Sequence, residues 1–329
     1  MSYLPTTVAK PGEASPGVAS TRVGARHGLP PALGPVFPLL LAITDDERAA
    51  AAIGVTLALA RTRGAVPTVL RALGEDREAE VVVSPFVGAI AEASLSPEYR
   101  NECRDALQKQ VAAVVGEVRW RFEVADRPPV DAVIEEARQS RPGLIVMGLR
   151  HRSALHRAVS RDMLRSVVRS TRLPVLAVSP ELRGLPKRVL VAVDFGEASI
   201  RAASLARHLL TDDGEMYLVH VANDVPDEMS QRTRLFGQRG IQWIMDELSR
   251  VIEDLSPSPR MKITSIVLEG DVQLSIEGYA EQVGADLLAV GSDYHSPLDR
   301  LLSGSVSMGL AHTARWSTLI VPSHHDEQR

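Results

Sequence analysis

Gly148 closes the apolar run "LIVMG" and Gly291 follows the apolar run "ADLLAV", and the two glycines lie 143 residues apart. Arg172 of "TRLPVLAVS" lies the same 143 residues before Arg315 of "ARWSTLIVPS". An equal offset at both ends means that the loop and helix between these anchors align without a gap. Such internal duplication points to two equivalent βα domains. A chain of 329 residues is long enough to give each its own buried core.

Within each half, apolar runs of strand length alternate with segments of helical periodicity. In the second half "RVLVAVD" reads as a strand, "EASIRAASLARHLL" as a helix, "EMYLVHV" as a strand and "RLFGQRGIQWIMDELSRVIEDL" as a long helix. Strand "KITSIVL", helix "VQLSIEGYAEQV", strand "DLLAVG", helix "SVSMGLAHTAR" and strand "STLIVPS" complete it. "FPLLLAIT" opens the first half as an uninterrupted apolar run, the pattern of a strand covered on both faces of a parallel sheet. Strict alternation predicts α/β domains with right-handed crossovers and ligands bound beyond the carboxyl ends of the strands. Asp194, Val221, Gly270 and Gly291 all fall at or just after strand ends and are expected to line one crevice.

Residues 1–37 are rich in Pro, Gly, Ser and Ala and are read as a disordered or loosely draped arm. The expected domains are 38–182 and 188–323, with a linker at 183–187 inside "PELRGLPK" and a polar tail at 324–329.

Composition removes several function classes. A net charge of -4 and 4% aromatic residues offer neither a basic field nor stacking platforms for nucleic acid. No apolar run reaches the 18 or so residues of a membrane span, and no signal pattern opens the chain, so a cytoplasmic location is expected. The single cysteine, Cys103, reads as a structural thiol in a helix. No metal-ligand spacing is visible, and no G-x-S-x-G elbow, Walker loop or G-x-G-x-x-G turn follows a strand.

The blocks "VLVAVDFGEAS", "LVHV", "LEGD", "GADLLAVGS" and "RLLSGSVS" resemble, in order and spacing, the universal stress protein family. The likeness covers 188–323 and, more faintly, 38–180, so the chain looks like a tandem member. It implies two doubly wound parallel-sheet domains of five strands each, in the order 3-2-1-4-5. It also implies intramolecular pairing of the two domains through their last strands, "PVLAVS" and "TLIVPS". Nothing in the sequence fixes a homo-oligomer or an external protein partner.

Nucleotide-binding members of that family carry a G-x2-G-x9-G-[ST] loop after the fourth strand. Carried over by position, Ala192, Val193 and Asp194 at the end of the first strand would flank the base and ribose. Val221 would meet the adenine edge through its backbone, and Gly291 would let the chain approach the ligand. Gly304 and Ser305 would present N–H groups and a hydroxyl to phosphate at a helix N-terminus. Two residues depart from the pattern. Tyr294 replaces the second glycine, where bulk and positive φ would conflict, and Asp293 adds a negative charge beside a polyphosphate. The expected ligand is therefore ATP or a smaller adenine nucleotide, with or without magnesium.

The first half departs further, with His151, Arg161 and Asp162 at three of the four loop positions and Thr44 in place of the strand-end aspartate. It instead places Arg157, Arg161, Arg165 and Arg169 four residues apart, on one side of a helix or its lead-in. A solvated face is the plain reading of that stripe, and an anion or acidic-partner site is the alternative. Three functions stay open: a stress-response regulator that senses an adenine nucleotide in its second domain, a partner-binding scaffold without nucleotide, and a weak ATPase for which no general base stands out.

Overall fold

The computed structural model describes residues 38–43, 49–63, 66–73, 96–149, 154–222, 231–255, 260–292 and 315–323. The chain divides into two compact units between Gly184 and Leu185.

In the first unit the described elements are β1 (Leu39–Ala42), α1 (Ala49–Arg63), β2 (Thr68–Ala72), α2 (Pro97–Val115), β3 (Arg121–Ala125), α3 (Pro129–Ser140), β4 (Leu144–Gly148), α4 (Ala154–Thr171) and β5 (Val175–Val178). The strands are parallel and ordered β3-β2-β1-β4-β5. Leu39, Leu40 and Leu41 are essentially inaccessible. Three consecutive buried side chains on one strand require cover on both faces, because successive residues point to opposite sides.

The helix ends follow local chemistry. Ser96 caps α2 by accepting the Tyr99 N–H at 3.2 Å, with Pro97 in the first turn where no N–H is needed. Cys103 is buried on α2. Arg141 and Arg172, just after α3 and α4, adopt left-handed φ values of 46° and 53° that stop the helices.

The second unit contains β6 (Arg188–Ala192), α5 (Glu197–Leu209), β7 (Glu215–Ala222), α6 (Gln231–Leu255), β8 (Lys262–Glu269), α7 (Val272–Val283), β9 (Leu287–Ser292) and β10 (Ser317–Pro322). Its strands are again all parallel, in the order β10-β9-β6-β7-β8. Numbered within its own half, this order reads 5-4-1-2-3, the same doubly wound arrangement as in the first unit. β6 is central, flanked by β7 and β9, and Val189, Leu190 and Val191 are fully buried. α5 packs on β6, β9 and β10 and touches α6, while α7 lies against β6, β7 and β8. Right-handed crossovers put α5 and α6 on one face and α7 on the other.

Asp271 caps α7 by accepting the Leu274 N–H at 2.9 Å, and Gly284 ends it at φ 62°. Asp286 then leads into β9, where one carboxylate oxygen accepts the N–H groups of Lys187 and Arg188 at 2.7 and 2.9 Å. That contact fixes the start of β9 against the start of β6. Among the described residues, no helix is long and apolar enough to cross a membrane.

Candidate functional site at the carboxyl ends of β6, β7 and β9

The strand order reverses at β6, which lies between β7 and β9, and in open parallel sheets such a switch point places the ligand crevice beyond the carboxyl ends of the strands. Ala192 is still inside the ladder, in register with Val219 and Val290. Val193 adds one more rung, its N–H donating to the Val219 carbonyl at 2.8 Å. Both main-chain groups of Val193 are in use, because its carbonyl accepts from Nδ1 of His220 at 2.7 Å.

Asp194 starts the turn into α5. Its Oδ1 accepts the Gly196 N–H at 2.9 Å and the Ser199 hydroxyl at 2.5 Å, while its own N–H reaches Ser199 Oγ at 3.3 Å. One carboxylate oxygen thus builds the loop, and among the described residues the other accepts no hydrogen bond. Between Asp194 and the Gly196 cap, Phe195 adopts φ 64°, a left-handed conformation that costs an aromatic residue of the order of 1–2 kcal/mol. Its ring stacks on His220 at 5.0 Å and 28°, and meets Trp243 of α6 edge-on at 5.6 Å and 66°. Trp243 remains 51% exposed.

Burial depresses the His220 pKa below its ordinary value, partly offset by the Val193 carbonyl and the Asp194 carboxylate. A carbonyl can only accept, so His220 carries a proton on Nδ1.

Val221 follows His220 on β7. Main-chain groups along a strand point alternately to its two neighbours. Glu215 and Val219 face β6, since the Glu215 N–H donates to the Lys187 carbonyl and Val219 accepts from Val193. Val221 has the same parity, so its N–H and C=O face the line of β6 at the level where the chain has turned away.

Gly291, near the end of β9, has a reason the sequence does not display. A Cβ there would lie 2.4 Å from the Ser199 nitrogen and 2.6 Å from the Ala198 carbonyl carbon, both backbone atoms of α5. The glycine thus permits a close approach between β9 and the first turn of α5. Nearby, Arg201 of α5 donates to the Pro322 carbonyl at the end of β10 at 2.6 Å. Burial lowers the Arg201 pKa, with Glu197 opposing the shift.

The structure therefore gathers Ala192, Val193, Asp194, Val221 and Gly291 at one end of one sheet. Tyr294, Gly304 and Ser305, together with Asp293, lie outside the described residues. In the first unit Gly148 ends β4, and Thr44 and His151 lie outside the described residues. Arg161 and Asp162 fall inside α4, about two turns beyond its first residue, so they are not at a helix N-terminus. Arg157, Arg161, Arg165 and Arg169 all belong to α4. Among the described residues neither Arg165, which is partly buried, nor Arg169, which is exposed, joins an ion pair.

Phe195, Ser199, His220 and Trp243 were not singled out by the sequence. A histidine inside the apolar strand "LVHV" was the available signal. Among the described residues no group of three or more His, Cys, Asp or Glu side chains is placed to hold a metal ion.

The sequence profile of the Universal stress protein family matches residues 37–179 and again 186–322. A universal stress protein of Methanocaldococcus jannaschii is 32% identical over 145 residues, 42% of this chain and 82% of its own length. The crystal structure of a universal stress protein from Archaeoglobus fulgidus covers 88% of this chain and 98% of its own, at 18% identity and a TM-score of 0.57. A universal stress protein crystallised with cAMP covers 43% of this chain and 99% of its own, at 22% identity and a TM-score of 0.36. With both halves matched in turn and the same strand order in each, the chain belongs to the universal stress protein family.

Proposed function

We propose that the second domain, residues 188–323, binds an adenine nucleotide beyond β6, β7 and β9, and that the chain serves as a stress-response regulator through that ligand. The observation that carries this reading is the outward main-chain edge of Val221. One N–H and one C=O side by side complement the ring nitrogen and exocyclic amine of an adenine edge. The Asp194 oxygen not used in the turn suits a ribose hydroxyl as acceptor. Gly304 and Ser305 take the phosphates in this reading, by position in the family loop.

The first domain, residues 38–182, is the poorer host. Its Arg161 and Asp162 lie within α4, where the helix's own hydrogen bonds use the N–H groups a phosphate would need. Its arginines support a second reading, a surface for an acidic partner, because Arg165 and Arg169 have no ion-pair partner among the described residues. No hydrolytic step is assigned.

Calorimetric titration of the whole chain with ATP, ADP and AMP, with and without magnesium, tests the first reading. One site per chain is expected, abolished by a bulky residue at Gly304 and untouched by Arg161→Ala. Tyr294→Gly is expected to tighten ATP, and Asp293→Arg to tighten it further, each tenfold gain corresponding to about 1.4 kcal/mol. No binding by wild type or either variant would transfer the function to the partner surface.

A further inference from the structure

The last rung between β6 and β7 is the bond from the Val193 N–H to the Val219 carbonyl. In a parallel ladder the next would run from the Val221 N–H to the Val193 carbonyl. That acceptor is instead met by the His220 side chain, Nδ1 donating at 2.7 Å, and no main-chain bond joins Val221 to Val193. The residue immediately before Val221 thus occupies its neighbour's partner. The ring is held there from its open side by Phe195, at 5.0 Å and nearly parallel, and Phe195 is backed by Trp243.

We propose that His220 is a positioning residue that stops the β6–β7 ladder one rung early and so keeps the Val221 main-chain edge open. Its use by an adenine base rests on the nucleotide reading above; the open rung itself does not.

The side chain has the right properties for this. A histidine with Nδ1–H offers one donor on a rigid ring, short enough to reach back across the strand. An aliphatic residue at 220 would leave the Val193 carbonyl buried without that donor, and the Val221 N–H is the nearest main-chain group able to satisfy it. In the first unit the corresponding bond runs from the Ile43 N–H to the Leu70 carbonyl at 3.1 Å, with Arg71 where His220 stands, and no main-chain bond joins Ala72 to Ile43 there either, so a different side chain stands at an equally open rung. Asp45 there takes the place of Phe195 in sequence, and among the described residues the stacked aromatic pair occurs only in the second unit.

The test is residue-resolved amide hydrogen exchange at Val221 in the full chain without nucleotide, for wild type, His220→Asn, His220→Gln and His220→Leu. The Asn amide nitrogen mimics Nδ1, whereas the Gln amide nitrogen sits where Nε2 does. Wild type and His220→Asn are expected to exchange Val221 quickly. His220→Leu and His220→Gln are expected to slow it at least tenfold as the extra rung forms. Equal exchange in all four proteins, or slowing in His220→Asn as well, overturns the proposal. Should His220→Leu fail to fold, the Asn and Gln pair decides alone.

AMP titration of the same variants addresses the ligand. If wild type binds, His220→Asn is expected to stay within about threefold of it and His220→Gln to weaken tenfold or more. If wild type does not bind AMP, ADP or ATP, the nucleotide reading falls while the exchange result still decides the role of His220.

Discussion

Gly291 and Ser199 stand so close that a Cβ on the glycine would lie 2.4 Å from the serine nitrogen. Ser199 is also the residue whose hydroxyl holds Asp194 in place. The atoms in the way are helix backbone, which cannot rotate aside as a side chain can. Gly291→Ala is therefore expected to lower stability by about 3 kcal/mol, the upper part of the range for overpacking a core. Chemical denaturation followed by circular dichroism measures the loss, and a change below about 1 kcal/mol would show that α5 can slide off β9.

Phe195 combines an unfavourable backbone with favourable ring contacts, and two substitutions separate them. Phe195→Ala loses the contacts to His220 and Trp243 and keeps the left-handed φ of 64°. Phe195→Gly loses the same contacts and removes the strain. The glycine variant is expected to be more stable than the alanine variant by about 1 kcal/mol, despite glycine's larger unfolded-state entropy. Melting temperatures in the reverse order would mean that the turn tolerates a side chain without cost.

His220 makes stability depend on pH in a defined direction. Its folded pKa lies below the ordinary 6.5, chiefly through burial, so the unfolded chain takes up the proton first. Stability from the neutral ring is complete above pH 6.5 and declines as pH falls from there toward the folded pKa. Thermal unfolding between pH 7.5 and pH 5 is expected to show this decline in wild type and a flatter profile in His220→Asn. Parallel profiles would assign the decline to other groups.

Glu136 of α3 is 7% exposed, and its Oε1 has no hydrogen-bond partner among the described residues. Burial raises its pKa above the ordinary 4.5, with Arg121 opposing. A raised carboxyl pKa contributes stability below the unfolded value that is lost as pH rises through the folded one. At pH 7 the charge is a liability, so Glu136→Gln is expected to raise stability by about 1 kcal/mol, with the gain shrinking toward pH 4. Destabilisation at pH 7 would identify Arg121 as the stronger influence on this carboxylate.

The apolar runs of the sequence became strands at close to their expected limits. "RVLVAVD" is β6 at Arg188–Ala192, and "KITSIVL" is β8 at Lys262–Glu269. β6 announces itself in this way because Val189, Leu190 and Val191 are buried on both faces, and edge strand β8 does so through the buried run Ile266, Val267 and Leu268. The strand order of each half came from family likeness and holds in the structure. The site was less legible. Nothing in the sequence around Val193 shows that His220, 27 residues away, meets its carbonyl. Gly291 gives no sign in the sequence that α5 lies against it. Both depend on which distant element arrives at a strand end, and spacing along the chain does not encode that contact.

The register of β6 has a consequence for the nascent chain. Leu190 lies opposite Tyr217 on one side, 27 residues later, and opposite Leu288 on the other, 98 residues later. At a synthesis rate of about 5–20 residues per second, the β9 side of β6 waits roughly 4–14 s after the β7 side has its partner. During that interval the ribosome carries an apolar strand with one unpaired edge, a surface suited to capture by chaperones or by another unfinished strand. β1 repeats the delay in the first half, with Leu40 opposite Thr68 and then Ile145. Each chain passes twice through this exposed stage before translation ends, and the carboxylate of Asp286, which clasps Lys187 and Arg188, is poised to end the second.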